Sequence, residues 1–175
     1  MRQVFPLVLA STAMVLLTSP GFAKEKSTLD LAPLLDGFVE GCNFGEPLYE
    51  LIASLRPATR EGETLAVPAE YASVAGEPTH TADDYGNQEY HLPLPGQWHG
   101  VNVAGIDFVN QDDAGLFVAA VRFSGSESAV NAQFESKVTA SQAILDQDEM
   151  SVDFGHLVAL TTDDGITRLL CDLST

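Results

Sequence analysis

The sequence predicts an α+β fold, an antiparallel sheet of about four to six strands covered by helices. Three patterns carry that expectation. Val101 to Gly125 holds two β-branched and aromatic runs around a short polar loop ending in Gly115, the pattern of a hairpin spanning 101–123. Few charges interrupt either arm, which places this hairpin at the centre of the sheet with both faces at least partly covered. A second alternating stretch, residues 150–173, forms a terminal hairpin turning at Thr162-Asp163-Asp164-Gly165. Apolar residues at helical spacing after Thr28, and again near 126–140, supply the covering helices.

Residues 1–23 have the composition of an export signal. Arg2 gives the positive start, Phe5 to Leu17 the apolar run, and Gly21-Phe22-Ala23 the small residues before cleavage after Ala23. The apolar run is shorter than the roughly 20 residues of a membrane span. No cysteine lies in or just after the segment, which argues against a lipid anchor. The expected compartment is the periplasm, with full secretion as the alternative. The remainder, 24–175, is read as a single α+β domain, long enough for a real core.

In this remainder Leu31, Leu34, Leu35, Phe38, Val39 and Cys42 share one helical stripe, and Pro33 sits where a first turn tolerates proline. Asn43 and Gly45 stop that helix. Pro47 opens a second, with Leu48, Leu51, Ile52 and Leu55 on one face. From Ala58 to Gly100 the chain is rich in proline and small polar residues. Thr64–Val67 reads as a short strand. Thr79–Tyr85 and Gln88–Leu94 read as a hairpin turning at Gly86-Asn87, its second arm at an edge because of Pro93 and Pro95. Ser126 is the expected N-cap of the third helix, with Val130, Phe134 and Val138 facing the sheet. Met150 to Leu160 reads as a strand with Val152, Phe154, His156, Val158 and Leu160 on one side. Leu169, Cys171 and Leu173 share a face of the last strand.

Cys42 and Cys171 are the only cysteines. In an oxidising compartment an isolated pair is most simply a structural disulfide, tying the opening helical segment to the last strand. No C-x-x-C motif points to a redox role.

The chain has 8 basic against 25 acidic residues, a net charge of −17. Cleavage after Ala23 removes only Arg2 from that count, leaving 7 against 25, or −18. Such acidity argues against nucleic acid and anionic membranes as partners and favours a cationic protein or a metal. His80, Asp83, Asp84, Glu89, His91 and His99 form the one metal-like grouping, although the spacing matches no metal motif. In the expected hairpin register His91 opposes Ala82 and Asp83 opposes Tyr90, so the histidines do not converge. The candidate ligands are therefore weak: His80, Asp83, His91 and His99. Tyr85, Tyr90 and Trp98 are the candidate partner-binding surface, because irregular segments on a rigid sheet often carry function. The pairs Asp112-Asp113 and Asp163-Asp164 each lie near a glycine and read as turns rather than calcium loops.

No nucleophile elbow, phosphate-binding loop or dinucleotide fingerprint is present. His156 lies among apolar neighbours, which suits a buried structural histidine better than a base without a nucleophile. In compartment, size and disulfide habit the chain resembles the small periplasmic lysozyme inhibitors. Their inhibitory motif is missing, and no residue is carried over. The leading expectation is a non-enzymatic exported protein, without cofactor, that binds another protein as an inhibitor or immunity-type partner of a cationic envelope-active enzyme or toxin. A metal or small-ligand binder using the 80–99 segment is the alternative. A hydrolase using carboxylate or His156 chemistry comes third.

Overall fold

A computed structural model describes residues 28–55, 67–111 and 114–175. The expected export signal 1–23, residues 64–66 of the expected short strand, and Asp112-Asp113 lie outside the described residues. Val67, also assigned to that strand, is irregular.

The fold is α+β. Strands β1 (Thr79–Ala82), β2 (Gln88–Trp98), β3 (Val101–Gln111), β4 (Leu116–Phe123), β5 (Leu157–Asp163) and β6 (Ile166–Asp172) form one antiparallel sheet in the order β1-β2-β3-β4-β6-β5. The 101–123 hairpin is β3–β4, the two middle strands, as its sparsely charged arms imply. Its buried residues Val103, Ile106, Phe108, Ala119, Val121 and Phe123 face the helices in one hydrophobic cluster.

The helical elements are α1 (Ala32–Leu35), a 3-10 turn (Asp36–Val39), α2 (Glu46–Leu55), α3 (Glu127–Leu145) and α4 (Glu149–Phe154). The expected first helix is thus shorter than its apolar stripe. At Gly37 the returning chain passes so close that a Cβ would lie 2.5 Å from the Asn43 carbonyl oxygen. The helix tightens there, and Gly41 and Cys42 then turn through positive φ (71° and 54°). Leu31, Leu34, Leu35, Phe38 and Cys42 are nonetheless all buried, so the stripe identified the packing face even where the helix ended.

That corner brings Cys42 onto β6, where it is bonded to Cys171 across 129 positions, with Cα atoms 5.9 Å apart. Ser141 of α3 secures the same corner. Its hydroxyl accepts from Gly41 N–H (2.8 Å) and donates to the Phe38 carbonyl (3.2 Å), so both orphan backbone groups of the turn are satisfied. The bond points to an oxidising, extracytoplasmic compartment. Among the described residues no helix is long and apolar enough to cross a membrane.

The β1–β2 register differs from expectation. Thr79 pairs with His91 and His80 with Tyr90, so the turn is the five-residue loop Asp83–Asn87 rather than a two-residue turn at Gly86-Asn87. The Asp83 carboxylate organises it, accepting from Tyr85 N–H (2.9 Å), Asn87 N–H (2.9 Å) and the Asn87 side-chain amide (2.7 Å). An aspartate that caps several amides holds a wider turn than its Gly-Asn dipeptide suggests. The prolines of β2 lie past the last β1 pair, Thr79–His91, so β2 is interior at its start and an edge at Pro93 and Pro95. The outer strand β1 covers only the first half.

Ser126 caps α3, accepting from Ala129 N–H (3.3 Å), and the helix runs to Leu145, beyond the expected 140. The expected strand from Met150 begins instead as α4. Asp148 caps it, accepting from Ser151 N–H (2.8 Å), and Gly155, at φ 71°, ends it. Alternation at Val152, Phe154 and His156 resembles strand period by coincidence; the cap residues decide the local structure. β5 starts only at Leu157.

Candidate functional site

The four candidate metal ligands are each committed to a different partner. His80 Nε2 bonds Gln88 Oε1 (2.7 Å) and its ring lies on Tyr90 (4.7 Å between centroids). Asp83 holds its loop. A little burial pushes its carboxyl up, but the hydrogen bonds from Asn87, Tyr85 and Gly86 together outweigh that and hold it below 3.8. His91 Nδ1 bonds Asp107 Oδ1 (2.5 Å). His99 Nε2 bonds Asp36 Oδ1 (3.0 Å). Among the described residues no group of three or more His, Cys, Asp or Glu is placed to hold a metal ion.

Two of the three aromatic surface candidates are corrected. Trp98 is 0% exposed and Tyr90 3%, because both sit at helix-facing positions of β2. Tyr90 stacks on Phe108 at 4.5 Å, and Trp98 packs among Phe38, Phe123 and Phe134. The alternation of β2 itself turns these rings inward, on the same face as the buried Leu92 and Leu94. Tyr85, at the tip of the Asp83–Asn87 loop, is 83% exposed.

His156 has a nucleophile-type neighbour that spacing did not reveal. Its Nδ1 lies 3.0 Å from Ser151 Oγ, and that hydroxyl lies 2.8 Å from Asp148 Oδ2. An ionised carboxylate can only accept, so the hydroxyl proton points at Asp148 and His156 donates through Nδ1. In this arrangement the imidazole offers no lone pair to Ser151. The group works as a helix cap. The Ser151 hydroxyl, then the Ser151 backbone N–H, then the His156 charge hold the Asp148 carboxyl below its ordinary 3.8.

A carboxyl lowered in the folded state adds stability above its unfolded value, and loses it as pH falls through the folded value. Asp148→Asn keeps a competent cap but cannot ionise. Its urea midpoint is expected to lie below that of the parent at pH 6, and the difference is expected to vanish on acidification from 3.8 through the lower folded value. Equal midpoints for the two proteins at pH 6 would remove the carboxylate from this role.

The surface that sequence reasoning missed lies on the connection between α3 and β5. Of the seven large apolar side chains exposed among the described residues, Met150, Val152 and Phe154 fall here, and Ile144 and Leu157 stand at the adjoining ends of α3 and β5. Met150 is 61% and Phe154 53% exposed, one turn apart on α4. Asp146, Asp148, Glu149 and Asp153 are interleaved with them. Asp146, Glu149 and Asp153 line a shallow groove with Gln147 and Val152. The signal was available as Asp148-x-x-Ser151 followed by Gly155, a helix start and stop that exposes what a strand would have alternated. No known protein family, curated protein or solved structure matches the chain.

Proposed function

We propose that the protein is a non-enzymatic binding protein of the periplasm, whose partner is a cationic protein such as an envelope-active enzyme or toxin that it inhibits or neutralises. In this reading residues 24–175 act as a single domain after removal of the leader. The observation that carries it is the exposed apolar surface of α4 set among carboxylates. Soluble proteins seldom concentrate exposed large apolar residues in one short connection without a use for them. Three carboxylates around one groove focus negative potential there, and suit the lysine or arginine of a partner whose apolar contacts fall on Met150 and Phe154. The charge of −18 that remains after leader removal (7 basic against 25 acidic residues) adds long-range attraction for a basic partner.

The test is capture from periplasmic extract at low and at high salt, with the Met150→Ser/Phe154→Ser double variant beside the parent. The expected result is a basic protein retained by the parent at low salt, released as salt rises, and bound at least tenfold more weakly by the variant. Capture of nothing, or equal capture by parent and variant, overturns the reading.

A further inference from the structure

A second charged group lies on the face of the sheet that the hydrophobic cluster does not use. His91 of β2, Asp107 of β3, Arg122 of β4 and Arg168 of β6 occupy alternate, outward positions of four successive strands. Asp107 pairs with His91 in register, and Arg122 lies directly opposite Arg168. Like charges directly opposite one another destabilise a sheet. One carboxylate stands between the two guanidinium groups, with its Oδ2 3.6 Å from Arg122 Nε and 3.7 Å from Arg168 Nε. Both distances exceed a hydrogen bond.

His91 adds no negative charge. Its Nδ1 faces Asp107, and its Nε2 lies 2.5 Å from Arg122 Nη2, so it accepts from Arg122 and is neutral. The group thus carries two positive charges against one negative, within a chain of −17. Arg122, Lys137 and Arg168 are the only lysines and arginines among the described residues, and two of the three are gathered here. The side chains are about a quarter exposed (24% for Arg122, 27% for Arg168), open enough to meet a ligand and shielded enough for charge to matter. Arg122 Nε is buried with no hydrogen-bond partner, and the Arg168 guanidinium, apart from its 3.7 Å approach to Asp107, makes no hydrogen bond among the described residues. A guanidinium has five donors in a planar fork suited to carboxylate and phosphate oxygens.

We propose that Arg122 and Arg168 form an oxyanion site on this sheet face, which takes the carboxylate or phosphate of a small anionic ligand. Asp107 is the site's internal competitor: it holds the two arginines together and yields part of their charge when a ligand oxyanion arrives. The strongly negative molecule repels extended anionic surfaces, so the ligand is a small molecule rather than a membrane or a nucleic acid.

The experiment is calorimetric titration of the parent with inorganic phosphate and with acetate, at constant ionic strength held by sodium chloride. Saturable binding of phosphate or acetate is expected. Arg168→Gln is expected to weaken it at least tenfold, and Arg168→Lys, which keeps the charge and loses the fork, by a smaller factor. Asp107→Asn is expected to strengthen it several-fold, because the competing carboxylate is gone; a purely structural ion pair predicts no such gain. Should Asp107→Asn not fold, the two Arg168 variants against the parent decide the matter. The absence of saturable binding in the parent, or binding indifferent to both Arg168 changes, overturns the proposal. None of these residues belongs to the α4 surface, so either idea can fail alone.

Discussion

Replacing Cys42 and Cys171 together by serine is expected to lower the unfolding free energy by about 4 to 5 kcal/mol. The bond spans 129 positions, nearly the whole described chain, and so restricts the unfolded state about as much as one crosslink can. Total stability of a domain is typically on the order of 5 to 15 kcal/mol. The loss is therefore a large share of it, and the variant is expected to unfold at much lower urea. The native arrangement is expected to persist, because the corner that carries Cys42 has other anchors. Ser141 holds both Gly41 and Phe38, and Leu34, Leu35 and Phe38 are buried against the sheet. Urea denaturation of parent, reduced parent and double variant, followed by far-UV circular dichroism, checks this. Reduced parent and variant should coincide. An unchanged midpoint would mean that the unfolded chain is already constrained without the bond.

The sequence conveyed the parts of the architecture that rest on burial period. The two middle strands and the α3 stripe through Val130 and Phe134 follow from apolar spacing, the bonded pair from there being only two cysteines, and all are observed. It conveyed less wherever a short polar contact outweighs period. Asp83 widened a turn and shifted β1 against β2, and the length of β2, which runs on to Trp98, put Tyr90 and Trp98 on its buried face rather than on the proposed surface. Asp148 and Gly155 made a helix out of an alternating run, and so exposed Met150 and Phe154 instead of burying one side of it. The charged group on the outer sheet face was illegible for a third reason. Its members are 16, 15 and 46 positions apart in turn, and only strand order and register bring them side by side. Cap residues could have been weighed before the alternation; non-local pairing could not have been read from spacing.

Trp98→Ala is expected to cost about 3 to 5 kcal/mol, comparable to loss of the crosslink. The indole is fully buried at the meeting of four elements. It stacks parallel to Phe123 of β4 (6.1 Å), lies 4.5 Å from Phe134 of α3, and meets Phe38 of the 3-10 turn edge-on at 6.3 Å. Truncation opens a space that three other rings border, and rings held by three separate elements cannot all close on it. Its N–H donates to Asp36 Oδ1 (2.9 Å), which also receives His99 (3.0 Å). Trp98→Phe keeps most of the ring contact and leaves Asp36 with His99, so it is expected to cost less than about 2 kcal/mol. Asp36→Ala strands a buried indole N–H and is expected to cost about 1 to 3 kcal/mol in the parent, and much less on the Trp98→Phe background. Trp98 is the only tryptophan, so the parent's emission should be blue-shifted and should move to the red in one step on unfolding. Dichroism follows the variants that lack it. Equal costs for the alanine and phenylalanine changes would show that the hydrogen bond, not the packing of four rings, is what Trp98 contributes.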